Sequence, residues 1–208
     1  MAGNGLWNLA MHTLEFFFDV SSPWTYLGFE SIQPLAERPD VEVIWKPILV
    51  GGVFNSVNPS VYENRERPVP AKARYYQKDL RDWAEHVGVE IGQPPVFPVN
   101  SVKVMRGAFV ALEHGLLVPY ARRAFQRYWG ELADISQDEE VRRISTDAGL
   151  DADEVMARIA EPDCKARLRD TTDELIARGG FGSPTMFLDG DDMYFGNDRV
   201  ALLAWRLS

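Results

Sequence analysis

The sequence predicts an α/β protein: a β-α-β unit opens the chain, a β-β-α unit closes it, and an all-helical block is inserted between them. Three observations predict this. An aromatic run, "LEFFFD", stops at Asp19-Val20 and passes through Ser-Ser-Pro into helical spacing. The middle of the chain is a succession of amphipathic stripes. The end returns to strand in "PTMFLDGDDMYF" before one last helix.

Each element has its own signal. Leu14 to Asp19 is a short, mostly aromatic run suited to a buried strand. Trp24, Leu27, Gly28, Ile32 and Leu35 then recur at helical spacing and stop before Pro39. "VEVIWK" sets Val41, Val43 and Trp45 on one face of a strand. Together these make one βαβ unit, whose crossover should be right-handed. "PILVGGVFNSVNPSVYENRERPVP" is threaded with glycine, asparagine and proline and reads as a long ordered loop, of a length that is usually functional or mobile. Tyr76, Leu80, Trp83, Ala84 and Val87 form a helical stripe, which "IGQPPVFPVN" breaks. Helices at about 102–114 and 119–132 follow, and "SQDE", Ser136 to Glu139, reads as a capping box. "DADE" opens a short helix, and another from about 163 stops at Gly179-Gly180. An Asp-Gly turn joins the two late strands, and Asn197 or Asp198 is placed to cap the final helix.

This is the element order of a thioredoxin-like β-α-β…β-β-α domain with an inserted all-helical domain. The expected boundaries are a loose tail over 1–12, the thioredoxin-like domain over 13–50 and 180–208, and the helical insertion with its leading loop over 51–179. No internal repeat or low-complexity segment interrupts it.

Composition narrows the function. The chain has 208 residues, 46% apolar and 25% charged, enough for one sizeable core. A net charge of −9 argues against general binding to nucleic-acid backbones. No apolar stretch approaches the ~20 residues of a membrane span. "MAGNGLWNLAM" lacks the features of a secretory signal, so a cytoplasmic setting is expected. With Cys164 as the only cysteine, no intrachain disulfide can form, and His12, His86 and His114 have no metal-ligand spacing. No metal is expected, and Cys164 reads as an incidental thiol.

Three turns could carry chemistry. Ser22-Pro23 fits a plain helix start, since serine is a preferred N-cap and proline a preferred first helical residue. In thioredoxin-like proteins, however, this turn holds two cysteines, the first activated by the helix N-terminus. Here the four positions are Ser22, Pro23, Trp24 and Thr25, so disulfide exchange cannot run through them. A serine at that tip can instead donate a hydrogen bond to an anion, such as a thiolate brought by a ligand. Pro184, in "FGSPT", could simply start an edge strand, but the fold context favours the cis-proline that bares the backbone of Ser183 to a peptide-like ligand. Asn197-Asp198 is a cap in isolation, but it starts a helix near the other two turns, where Asp198 could accept from an ammonium. Lys72, Asn55, Asn58 and Asn100 read by default as surface or turn residues.

Taken in order, "FFFDVSSPWTYL", "PAKARYYQKDL", "FPVN", "YWGELADIS", "FGSPTMFL" and "MYFGNDR" resemble the 2-hydroxychromene-2-carboxylate isomerases, relatives of the kappa-class glutathione S-transferases. The resemblance spans about residues 13–207. It implies a homodimer with a glutathione site between the two domains. It implies that Ser22 hydrogen-bonds the glutathione sulfur, with Pro23 beside it, and that Lys72 meets the glycine end. Ser183, before Pro184, pairs with the cysteinyl backbone, and Asn197 and Asp198 hold the γ-glutamyl end. Asn58, ahead of Asn55, is the long-loop contact, and Asn100 and Trp24 face a small aromatic substrate. The implied reaction interconverts 2-hydroxychromene-2-carboxylate and trans-o-hydroxybenzylidenepyruvate, with glutathione regenerated. Two rivals stay open: a kappa-like transferase that releases a conjugate, and a non-catalytic thioredoxin-like binding module.

Overall fold

The computed structural model describes residues 11–208. Most of the expected tail, residues 1–10, lies outside them, but His12 already belongs to the sheet. The chain begins β1 (His12–Phe18), α1 (Pro23–Ser31), α2 (Gln33–Ala36) and β2 (Val41–Pro47), with β2 parallel to β1. After the helical block, β3 (Thr185–Leu188) pairs antiparallel with β1 and β4 (Asp192–Phe195) antiparallel with β3. The strand order is β2-β1-β3-β4, the mixed sheet of a thioredoxin domain.

β1 is covered on both faces, which explains its continuous aromatic run. Phe16 and Phe18 pack edge-on against Trp45 on one side, at centroid distances of 5.4 and 6.3 Å. Phe17 turns to the other side, where Ile48, Val53, Leu175 and Phe187 form a smaller core. Burying such rings is worth roughly 1.5–3 kcal/mol each, so β1 anchors the sheet and with it the turn at its end.

The helical block comprises α3 (Val50–Val57), α4 (Ser60–Glu66), α5 (Pro70–Val87), α6 (Val102–Glu113), α7 (Leu117–Phe125), α8 (Asp138–Asp147), α9 (Ala152–Arg158) and α10 (Pro162–Ala177). α7 runs on into a π-helical turn, Gln126–Gly130, and a 3₁₀ turn, Asn197–Arg199, leads into α11 (Val200–Arg206).

Several local expectations are corrected. The segment read as a long loop holds two helices, α3 and α4: α3 forms because Val50 and Val53 are drawn into the core despite Gly51 and Gly52 between them, whereas α4 has no buried residue. "SQDE" is not a capping box: α8 starts with Gln137 as N-cap, and the Ser136 hydroxyl donates to Asp134 instead, at 2.6 Å. Neither Asn197 nor Asp198 caps α11, whose N-cap is Arg199 without a side-chain bond. Of the α5 stripe only Ala84 is buried.

Candidate functional site

The site grows from the end of β1. Strand β1 delivers the chain to Ser22, which is extended (φ −106°, ψ 124°) and caps α1, with buried Pro23 at the first helical position. Ser22 Oγ accepts from the Thr25 N–H at 3.2 Å and donates to the Ser183 carbonyl at 3.4 Å. The first contact is the cap. The second joins the turn to the segment before Pro184.

The Ser183-Pro184 peptide bond is cis, as the fold context implied. The hydroxyls of Ser183 and Thr25 lie 2.7 Å apart, and the backbone N–H of Asp19 donates to Ser183 Oγ at 3.2 Å. The positions that hold cysteines in disulfide exchangers are thus two hydroxyls bound to one serine. Cys164 is remote from them: it is buried in α10, its Sγ donates to the Arg106 carbonyl at 3.5 Å, and burial raises its pKa.

Gly28 lets α1, the cis-proline and Asn197 come together. A Cβ at Gly28 would lie 2.9 Å from Pro184 Cγ and 3.6 Å from Asn197 Cα. Helix propensity alone favours alanine there by about 1 kcal/mol. The clash should outweigh it, so Gly28→Ala is expected to destabilise by about 1–3 kcal/mol in denaturant titrations. A gain in stability would show that the proline loop yields freely.

Asn197 is 6% exposed, and its Nδ2 is a buried donor without a partner. Such a group is costly in a finished core and is what a ligand oxygen would satisfy. Asp198 is exposed and paired with Arg199 at 2.8 Å. Lys72 is exposed in the first turn of α5, one turn before Tyr76. Tyr76 in turn accepts from Trp24 Nε1 at 3.1 Å and meets its ring edge-on.

The two asparagine assignments are placed differently. Asn58 ends α3, and its amide donates to the Phe181 carbonyl at 3.1 Å, tying α3 to the segment that carries Ser183. Asn55 accepts from the Tyr62 hydroxyl at 2.8 Å. Asn100 accepts from the Val102 N–H at the start of α6, at 3.1 Å, just after a second cis-proline, Phe97-Pro98.

Sequence reasoning passed over two residues. Arg65 on α4 sits over the rings of Phe54, Tyr62 and Phe97, at 5.8, 6.0 and 5.3 Å. Its charge also reaches the Tyr76 hydroxyl, whose pKa burial raises and the Trp24 N–H and Arg65 lower. Only Tyr62, one turn earlier on the same helix, is local to it; Phe54 and Phe97 come from other segments, so the sequence does not mark the cluster. Asp19 is 1% exposed directly behind the turn. Its carboxylate accepts from the Ser21 N–H at 2.9 Å, the Val50 N–H at 2.9 Å and the Ser101 hydroxyl at 3.1 Å. One carboxylate thereby fixes the turn, the start of α3 and the start of α6. An aspartate closing an aromatic strand was the available signal.

The DsbA-like thioredoxin domain model matches residues 13–208. The chain belongs to this family. Among its relatives, a 2-hydroxychromene-2-carboxylate isomerase of Sphingobium xenophagum is 29% identical over 191 residues, 92% of this chain and 95% of that protein. Glutathione S-transferase kappa 1 of Homo sapiens is 29% identical over 210 residues, 92% of this chain and 89% of that one. A solved structure of a 2-hydroxychromene-2-carboxylate isomerase superposes with a TM-score of 0.78 at 25% identity, covering 94% of each chain. The resemblance drawn from the six motifs is thereby borne out. Among the described residues, no helix is long and apolar enough to cross a membrane, and no cluster of His, Cys, Asp and Glu could hold a metal ion.

Proposed function

We propose that this protein is a glutathione-dependent isomerase that interconverts 2-hydroxychromene-2-carboxylate and trans-o-hydroxybenzylidenepyruvate in the cytoplasm. The observation that carries the proposal is the hydroxyl of Ser22. It caps α1, faces the carbonyl before a cis-proline and stands in a turn without a thiol.

The residues fit the ligand. Glutathione has two carboxylates, one ammonium and a peptide backbone. Lys72 supplies the cation for the glycine end. Asp198 takes the ammonium, and the orphaned Asn197 Nδ2 takes a γ-glutamyl oxygen. Ser183 offers its backbone, with Pro184 and Pro23 shaping the wall and Asn58 holding the loop above. When bound, glutathione would supply a thiolate for reversible addition to the enone carbon, which turns the double bond into a single bond that can rotate before elimination restores it and returns the thiolate. Ser22 turns its hydroxyl from the Ser183 carbonyl, a long bond at 3.4 Å, toward that sulfur, and the α1 N-terminus adds to the stabilisation. Trp24 and Asn100 flank the aromatic substrate, and Arg65 supplies a cation for its carboxylate.

The test is conversion of the chromene with the glutathione concentration unchanged. The breadth of the match to human glutathione S-transferase kappa 1 supports a second reading, a transferase. Glutathione consumed into a stable conjugate would decide for it. No reaction and no binding would leave a non-catalytic module.

Lys72→Ala and Asp198→Asn should each weaken glutathione binding by about 1–2 kcal/mol, roughly 5–30-fold, with the fold intact. Isothermal calorimetry reads this, and an unchanged affinity removes that residue from the site. We also expect a homodimer. Sedimentation velocity should give twice the chain mass, and a single-chain mass at micromolar concentration would contradict it.

A further inference from the structure

Arg106, on α6, breaks a rule that this protein otherwise keeps. Every other arginine that is half-buried or deeper holds a carboxylate, as Arg38 holds Asp40, Arg122 holds Glu30 and Arg127 holds Glu140. Arg106 has none among the described residues, and residues 1–10 contain no Asp or Glu to supply one. Its Nε is buried without a partner, and its guanidinium makes one long contact, to the Ile159 carbonyl at 3.4 Å. A buried N–H left in this state is unfavourable unless something from outside pairs with it.

Arg106 lines a cleft of about 240 Å³ between α3, α6 and α10. Lys165, also on the cleft, is exposed and unpaired among the described residues. Arg169, which faces Asp170 at 3.4 Å, and a single lining acid, Asp173, stand with them on the wall; Arg106 and Lys165 still leave a positive balance on a chain whose net charge is −9. The floor is apolar: Leu49, Leu168 and Ile176. The nearby hydroxyls are spent. Thr172 Oγ1 donates to the Leu168 carbonyl and accepts from the Leu49 N–H, and Ser56 Oγ donates to the Gly52 carbonyl. A neutral polyol would therefore find few free partners, and a cation would be repelled. What remains is a forked donor and an ammonium above an apolar floor, which suits a carboxylate on a small hydrophobic body.

We infer that this cleft is a second binding site, for a small organic carboxylate whose oxygens pair with Arg106 and Lys165 and whose body lies on Leu49, Leu168 and Ile176. The site is separate from the turn at Ser22 and does not depend on the reaction proposed there. α3 and α6 form its walls, and both are tied at their starts to Asp19.

Benzoate is the probe, titrated into the full chain without glutathione and followed by residue-resolved amide NMR. Saturable shifts are expected at Gly52, Leu168 and Thr172. Arg106→Gln should weaken binding at least tenfold and Lys165→Gln several-fold. Lys165 is exposed, so its variant keeps the test open if Arg106→Gln fails to fold, and Arg106→Lys retains the charge while removing the fork. The inference is overturned if those amides do not shift saturably, if shifts are confined to the Ser22 turn, or if the Lys165 and Arg106 variants bind as the parent does. Inorganic phosphate binding as tightly as benzoate would also overturn it, because the apolar floor would then contribute nothing.

Discussion

Ser22→Ala should lower the isomerisation rate by roughly 10²–10³-fold, the usual cost of removing one donor from developing negative charge. The fold should lose much less, about 0.5–2 kcal/mol, because the substitution leaves the Thr25 N–H uncapped. The two roles are separable because two different contacts carry them. The cap is the bond accepted from Thr25, whereas the proposed chemistry uses the hydroxyl hydrogen now pointed at the Ser183 carbonyl. Ser22→Gly keeps a tolerable helix start while deleting the hydroxyl, so it should show the rate loss with little of the stability loss. Steady-state kinetics beside denaturant titrations measure both. A full rate with a weakened fold would make Ser22 a cap alone.

Asp19→Ala should be the most destabilising single change near the site, by about 3–5 kcal/mol. It leaves the Ser21 and Val50 N–H groups and the Ser101 hydroxyl without their acceptor in a buried position and opens a void. The pH dependence gives an independent check. Burial raises the Asp19 pKa above the ordinary carboxylate value, against the pull of the Ser21, Val50 and Ser101 donors. The folded protein therefore holds this proton more tightly than the unfolded chain does. The resulting stability is present below the unfolded-chain pKa and is lost as pH rises through the folded one. Carboxylates with lowered pKa values, such as Asp40 and Asp189, contribute the opposite slope. The difference between the parent and Asp19→Asn isolates the Asp19 contribution. That difference should grow against the parent as pH rises from the ordinary carboxylate range. A difference that does not vary with pH would contradict the assignment.

The sheet was legible because its signals are local. The unbroken aromatic run of β1 reports a strand covered on both faces, and Ser22-Pro23 carries both preferences of a helix start. The cis bond at Pro184 could be expected only once the β-β-α order had placed it beside that turn. Other features are products of packing and left no local trace. α3 forms in a segment full of glycine and asparagine because Val50 and Val53 reach the core. Ser136 has the residue type of a cap but spends its hydroxyl on Asp134. Asp19 matters through Val50 and Ser101, which lie far along the chain, and Arg65 through rings from three segments. Lys72 and Asp198 are proposed to meet opposite ends of a ligand, a relation that has no signature in the protein alone.

Ultraviolet difference spectra of glutathione titrated into the protein at neutral pH test the central claim most directly. The claim is that the hydroxyl at the tip of α1 stabilises a bound thiolate. Thiolate absorbance should rise to saturation with the parent protein and fall sharply with Ser22→Ala at equal occupancy. Equal thiolate absorbance in both proteins, or glutathione bound entirely as the thiol by the parent, would contradict it.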